Sequence, residues 1–428
     1  MPIINPLKMK KIIPLILFLS VLSLQAQDTI NSSFITHHSS LTIGTYGEAV
    51  YRYNFYSDNV FRYTFADRFR EAKGHGEVDL PHAVLMLGYD FGHGWSFGME
   101  VEFEHGGVEA AVELETEETG EYEKEIERGG EVALEQLWVQ KSWSPALNLR
   151  LGHQVVPVGA VNAHHLPTEF FGVYRPEGER TILPCTWHET GISLWGRKGA
   201  WRYEAQLLPA LNSALMDVSS WVNGASASPY ESRPANHLAV AARVDNYSVK
   251  GLRMSLSGYV GNAFRNDITT DQRSTRFDTC NGTVAIIAFD FHMHKRRLTV
   301  RGNLDYGYLH DAQLISAYNT SLPNSTGSPY PHTKVGRGAW AFGHEFGYDF
   351  LDQKLVPFLR IDVYDSYIPA GSMSDIGWTL RHAYTLGLNY RPIPEIALKA
   401  EAGYRRFAPQ YNPEPWFALA VTWAGVFR

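Results

Sequence analysis

Between Arg175 and Arg180 the chain reads RPEGER, two arginines and two glutamates in six residues. His164, His165 and Glu169 precede it within the same long segment. Guanidinium and carboxylate groups mixed this densely steer or sort ions; they supply no nucleophile. The chain contains no G-x-S-x-G, H-E-x-x-H or Gly-rich phosphate loop, so no enzyme is expected. Three histidine groupings suggest metal at first sight: His164-His165, His188 with Glu189, and His292-x-His294. An i, i+2 pair on a strand points both rings one way. None has the four-ligand spacing of a structural zinc site, and no metal or cofactor is expected.

The elements that hold RPEGER must be read from the rest of the chain. Lys8, Lys10 and Lys11 precede the apolar run IIPLILFLSVLSL, and LQA offers a cleavage point after Ala26. Residues 1–26 therefore read as a signal peptide, and 27–40 as an N-terminal periplasmic segment. That run is shorter than the roughly 20 residues a spanning helix needs. No other apolar run approaches that length, yet aromatic residues make up 13% of the chain, a richness suited to interfacial girdles. Net charge is −7, and loss of the three leader lysines takes it to −10. An acidic chain without a basic tract offers nothing to nucleic acid.

The dominant period is two. GWSFGMEVEFE sets Trp95, Phe97, Met99, Val101 and Phe103 against Glu100, Glu102 and Glu104. WRYEAQL sets Trp201, Tyr203 and Leu207 against Arg202, Glu204 and Gln206. Such alternation means one face in an apolar medium and the other in a polar one. About sixteen segments follow this rule, from near Leu41 to near Pro415, with weak alternation in those starting near Val132 and Thr186. Every second connection is tight, as in DFGHG, GRKGA and RPIPE, while the intervening ones are long. Tight turns on one rim and long loops on the other predict an all-β, transmembrane antiparallel β-barrel over 41–428, in the outer membrane of a Gram-negative cell. The terminal WFALAVTWAGVF looks like the closing strand of such barrels, with Arg428 as a small departure.

A barrel of about sixteen strands is too wide for wall side chains to fill. Inward parity falls on Arg150, Arg202, Arg301, Arg360, Arg381, Arg405, Glu100, Glu102 and Glu345, which predicts a wet, charged lumen. The third long connection, about 155–185, has apolar residues for docking and charges for lining. It is expected to fold inward as a constriction, with Arg175, Glu177, Glu179 and Arg180 facing water beside Glu169, His164 and His165. The balance of charge predicts weak selectivity and reversal potentials near zero. Between Glu109 and Glu131 ten glutamates face Lys124 and Arg128, expected as a solvated outer loop with room for a short helix.

Leu151 to Gly196 resembles the family of phosphate-selective porins O and P, in versions found in Bacteroidota-like bacteria, at Gly152, Pro157, Gly159, Pro167, Arg175, Pro184, Trp187, Glu189 and Gly191. The resemblance implies a sixteen-stranded porin, an inward third loop, a homotrimer in outer-membrane lipid and lipopolysaccharide, and passage of small hydrophilic solutes or anions such as phosphate. The family's constriction lysines are missing, because Val155–Cys185 contains no lysine. The alternative is a plugged structural or partner-binding barrel without channel activity.

Overall fold

The computed structural model describes residues 41–115, 123–228, 232–267, 275–322, 330–352 and 354–427. The expected signal peptide and the segment 27–40 lie outside these. Almost every described element is a strand. The first nine are β1 (Leu41–Asn54), β2 (His75–Asp79), β3 (Ala83–Gly92), β4 (Trp95–Glu115), β5 (Glu123–Ser144), β6 (Leu147–Val155), β7 (His188–Lys198), β8 (Trp201–Pro209) and β9 (Leu238–Val249). The remainder are β10 (Leu252–Asn262), β11 (Thr283–Lys295), β12 (Leu298–Leu309), β13 (Gly338–Tyr348), β14 (Leu355–Ile368), β15 (Leu380–Ile393), β16 (Ile396–Arg406) and β17 (Glu414–Phe427).

Neighbours pair antiparallel in chain order, and β1 closes the ring on β17 from Ile43↔Phe427 to Asn54↔Trp416. β2 and β3 both pair with β1 and are two halves of one stave, so seventeen segments make sixteen staves. The break falls at Leu80–His82, where Pro81 has no N–H to give the ladder. Pairing carries across it, since Glu48 N donates to His82 O at 3.0 Å.

Alternation sorts the side chains as the sequence predicts. Leu194, Leu207, Leu256, Ile287 and Leu386 point outward and are exposed, while Glu100, Glu204, Asp290, Glu345 and Glu401 point inward and are buried. An exposed apolar skin on a closed ladder is stable only in lipid, and this is an outer-membrane barrel. The Glu-rich segment departs from expectation. β4 and β5 run on as one long hairpin to Glu115 and from Glu123, with no helix among the described residues there. Cross-strand pairing to a neighbour already in register extends the ladder more cheaply than a new helix nucleates.

Three short helices sit in loops: α1 (Ala160–Ala163), α2 (Glu177–Ile182) and α3 (Ala312–Asn319). The largest apolar cluster lies at the long-loop end. There Leu211, Met216, Trp221, Phe264 and Ile315 pack on the inner faces of β8 to β14 and on Ile182 and Leu183 of the third loop. That half of the mouth is roofed.

Two outcomes test this fold. The barrel should migrate faster on gels before boiling than after. Leu386, 64% exposed at mid-strand, should reach lipid, so L386R should cost about 2–4 kcal/mol of folding free energy. Urea titration in vesicles measures it, and an unchanged midpoint would put Leu386 out of the bilayer.

Candidate pore constriction

The third long loop, 156–187, folds into the barrel and crosses it. Polar wall side chains hold its backbone, which has no ladder of its own. Arg243 donates to Gly159 O at 3.0 Å, and Gly159 N donates to Ser257 Oγ at 3.0 Å. The Lys399 ammonium, buried at 2% exposure, grips the carbonyls of Pro167, Phe170 at 2.9 Å and Gly172 at 2.7 Å. Asn389 donates to Phe171 O at 3.2 Å and Arg360 to Tyr174 O at 3.0 Å. Glu401 accepts from Val173 N at 2.7 Å. Asn162 ties the loop's ends together, bonding Val158 O, Pro184 O and Trp187 N. Each anchor satisfies a backbone group whose burial would otherwise cost about 1–3 kcal/mol.

The expectation that Arg175, Glu177, Glu179 and Arg180 all face water is corrected: only Arg180 is partly exposed. Glu177 is clamped by Arg405, with Nε at 2.5 Å and Nη2 at 3.0 Å, and by the Tyr364 hydroxyl. Burial alone would raise its pKa, but Arg405 and Tyr364 hold it well below the usual carboxylate range. Glu179 accepts from Val161 N at 3.0 Å. Burial, reinforced by Asp305, pushes its pKa well above that range. Arg175 turns to Cys185 Sγ at 3.2 Å and Thr186 Oγ1 at 3.1 Å. His164 meets Arg253 and lies 3.8 Å from Glu169, and His165 faces Glu100. The sequence shows equal charges in RPEGER; the fold removes two of them from solution.

The lumen is charged as expected but filled at this level, not wide and wet. Phe170, Phe171, Val173, Ile182 and Leu183 of the loop are all buried inside it. Along the wall, arginines pair with carboxylates on the same or neighbouring strands. Arg202 meets Glu204 and Asp245, Arg301 meets Glu345, Arg360 meets Asp362, and Arg405 meets Glu414 as well as Glu177. Arg150 bonds Gln140 and stacks on Trp138. Basic and acidic groups thus alternate around β6 to β17. Glu48, Glu100, Glu102 and Glu135 form an acidic sector on β1, β4 and β5.

Three further arginines depart from this pairing. Arg52, Arg180 and Arg381 are partly exposed, and among the described residues none makes an ion pair. Each stacks on aromatic rings instead. Arg52 and Arg180 lie 5.3 and 5.4 Å from the Tyr174 ring, and Arg52 also covers Trp416. Arg381 covers Tyr364 and Trp378. Gly403 makes room for Trp416, since a Cβ there would come 2.0 Å from its ring. Arg381 lies where the apolar cluster ends at Tyr364, beside Trp378 on which Tyr63 of the first long loop stacks. Arg381 has the inward parity noted in the sequence; Arg52 carried no sequence signal, because strand parity cannot show which wall arginines lack acids.

No protein-family model matches the chain. An uncharacterized protein of Aquifex aeolicus (strain VF5) is 25% identical over 362 residues, covering 81% of this chain and 74% of that protein. The anion-selective porin from Comamonas acidovorans superposes with a TM-score of 0.54 at 11% identity, over 91% of this chain and all of that one. The outer membrane channel DcaP of Acinetobacter baumannii gives 0.53 at 10%, over 90% of this chain and 97% of that one. Salmonella typhi OmpF, in complex with daunomycin, gives 0.52 at 11%, with the same coverage. The fold is that of outer-membrane porins.

Lys399 supplies the test of how the loop is held. K399M strands three buried carbonyls, and the loop should loosen while the barrel stays closed. Single-channel recordings should show larger or noisier currents, with gel heat-modifiability retained. Unchanged currents would mean that Lys399 does not set the loop's position.

Proposed function

We propose that the protein is an outer-membrane porin that passes small hydrophilic solutes by passive diffusion and prefers anions. The observation that carries this reading is the set of Arg52, Arg180 and Arg381, partly exposed and without carboxylate partners. An unpaired guanidinium beside a low-dielectric wall attracts anions over a longer range than a paired one. The loop's own carboxylates are turned away from solvent, because Glu177 is spent on Arg405 and Glu179 is buried. Exposure thus replaces the balance that predicted reversal potentials near zero. Phosphate belongs to the accepted class, and its passage needs no tight site, since the loop lacks lysine and the arginines lean on aromatic faces.

A tenfold salt gradient across a planar bilayer tests the proposal. The wild type should show an anion-selective reversal potential, and R52E/R180E should move it towards cations. A wild-type reversal at zero, or a double mutant with wild-type selectivity, would overturn the assignment. Micromolar phosphate blocking chloride current would reveal a tight phosphate site instead. The burial of the third loop favours a second reading, a plugged scaffold, and that reading requires a complete absence of conductance steps.

The assembly proposed with it is a homotrimer, supported by the family resemblance and the small outer face of β1 around Thr45 and Ala49. Cross-linking in mild detergent should give a trimer; a monomer in every gentle detergent would exclude it.

A further inference from the structure

The acidic sector contains a feature that diffusion does not require. Along β4 and β5 the register slips after Glu100↔Gln136, so that Val101 next faces Leu134 and Glu135 is the extra residue. Glu135 and Gln136 are both buried, at 1% and 5% exposure, as a bulge that turns two successive side chains inward would make them. The bulge adds a third carboxylate to a wall that already has Glu100 and Glu102. Opposite them the third loop delivers His165, also buried at 2%.

We propose that Glu100, Glu135 and His165 form a divalent-cation site, suited to zinc, that staples the constriction loop to the barrel wall. One ligand atom from each lies within 4.8 Å of the others. Gln136 donates to one oxygen of Glu100, while the other, Oε1, is buried without a hydrogen-bond partner and points towards His165. The separation from Oε1 to His165 Nε2 is 3.9 Å. His165 Nδ1 lies 3.3 Å from Asn162 O, a carbonyl that can only accept, so Nδ1 carries the proton and Nε2 is the atom aimed at the carboxylates. A ring nitrogen oriented by a backbone carbonyl is the usual support of a metal ligand. Tyr46 donates to Glu135 Oε2 at 3.2 Å and orients the second carboxylate.

Charge gives the second argument. Among the described residues no Lys or Arg stands within ion-pair distance of Glu100 or Glu135, unlike the paired wall from Arg202 to Arg405; Arg175, the guanidinium whose charge reaches Glu135 from further off, bonds Cys185 and Thr186 instead. Buried carboxylates need a cation or a proton. Imidazole with two carboxylates matches zinc, with water in the fourth position. Zinc bonds of about 2.0–2.2 Å place ligand atoms roughly 3.4 Å apart, so closing the site needs only side-chain rotation. The three ligands come from β4, β5 and the loop, and none of the histidine groupings visible in the sequence contains the set.

Titration of the untagged full-length protein in detergent with ZnCl2, by calorimetry and by metal analysis after dialysis, tests the site. One zinc per chain is expected. E100Q and H165Q should each weaken binding at least tenfold, while E395Q, in the turn between β15 and β16, should not. No saturable binding, or wild-type affinity in H165Q, would overturn the proposal. H165Q decides the matter if E100Q fails to fold, because His165 belongs to the loop and not to a stave. A bridging imidazolium in place of zinc predicts no binding in the wild type, and that result also overturns the site. The staple has its own readout: micromolar zinc should quiet current fluctuations in the wild type and leave H165Q unchanged.

Discussion

The rest of the structure depends on closure. Hydrocarbon offers no water to an unpaired N–H or C=O, so a sheet with an edge cannot stay in it. The β1–β17 ladder removes the last edge, and sixteen staves fix a diameter that wall side chains cannot span. The interior must then take in another piece of chain or remain a broad hole. Here it takes in the third loop, and a second accounting problem follows. A loop inside a barrel has backbone groups without a ladder, and they must find partners on the wall. Lys399, Asn389, Arg360, Arg243 and Glu401 are those partners. Their burial as charged or polar groups follows from the loop's presence rather than from the needs of transport.

The same reasoning explains the alternation of charge along the wall. Inward residues on adjacent antiparallel strands face each other at about 5 Å, so an arginine on one strand is most readily compensated by an acid on the next. Arg202 with Asp245 and Arg301 with Glu345 follow that rule. A wall built this way has little net field. The exceptions are the acidic sector and the three stacked arginines, which meet on β1, where Glu48 and Arg52 share the inward face.

Local pattern made much of the fold legible and little of the site. Strand starts such as Leu41, Leu252 and Leu355 coincide with the structure because a period of two is local and lipid enforces it on every stave. β5 begins at Glu123 and not near Val132, since a Glu-rich run hides the alternation above the bilayer. The loop was recognisable as inward-folding from its mixture of prolines, aromatics and charges. Its charged residues were not separable into exposed and spent, because the deciding partner of Glu177 is Arg405, 228 residues away. The bulge at Glu135 was equally hidden, as nothing in VALEQLWVQ shows which of two neighbours turns inward.

The seam that closes the barrel also holds its mouth. Arg52 belongs to β1 and Trp416 to β17, on either side of the closing ladder, with Arg405 on the next stave, β16, and Arg381 on β15 beyond it. Across the lumen the apolar cluster of β8 to β14 seals the opposite half with loop residues. The third loop runs between these sectors: Lys399, Asn389 and Glu401 hold it near the seam, while Arg243 and Ser257 hold Gly159 on the sealed side, where Ile182 and Leu183 pack. The stacked rings and arginines come from strands towards the two ends of the chain, with Tyr174 and Arg180 from the loop. On the proposed reading selectivity belongs to the seam, and the loop's composition alone is a poor guide to it.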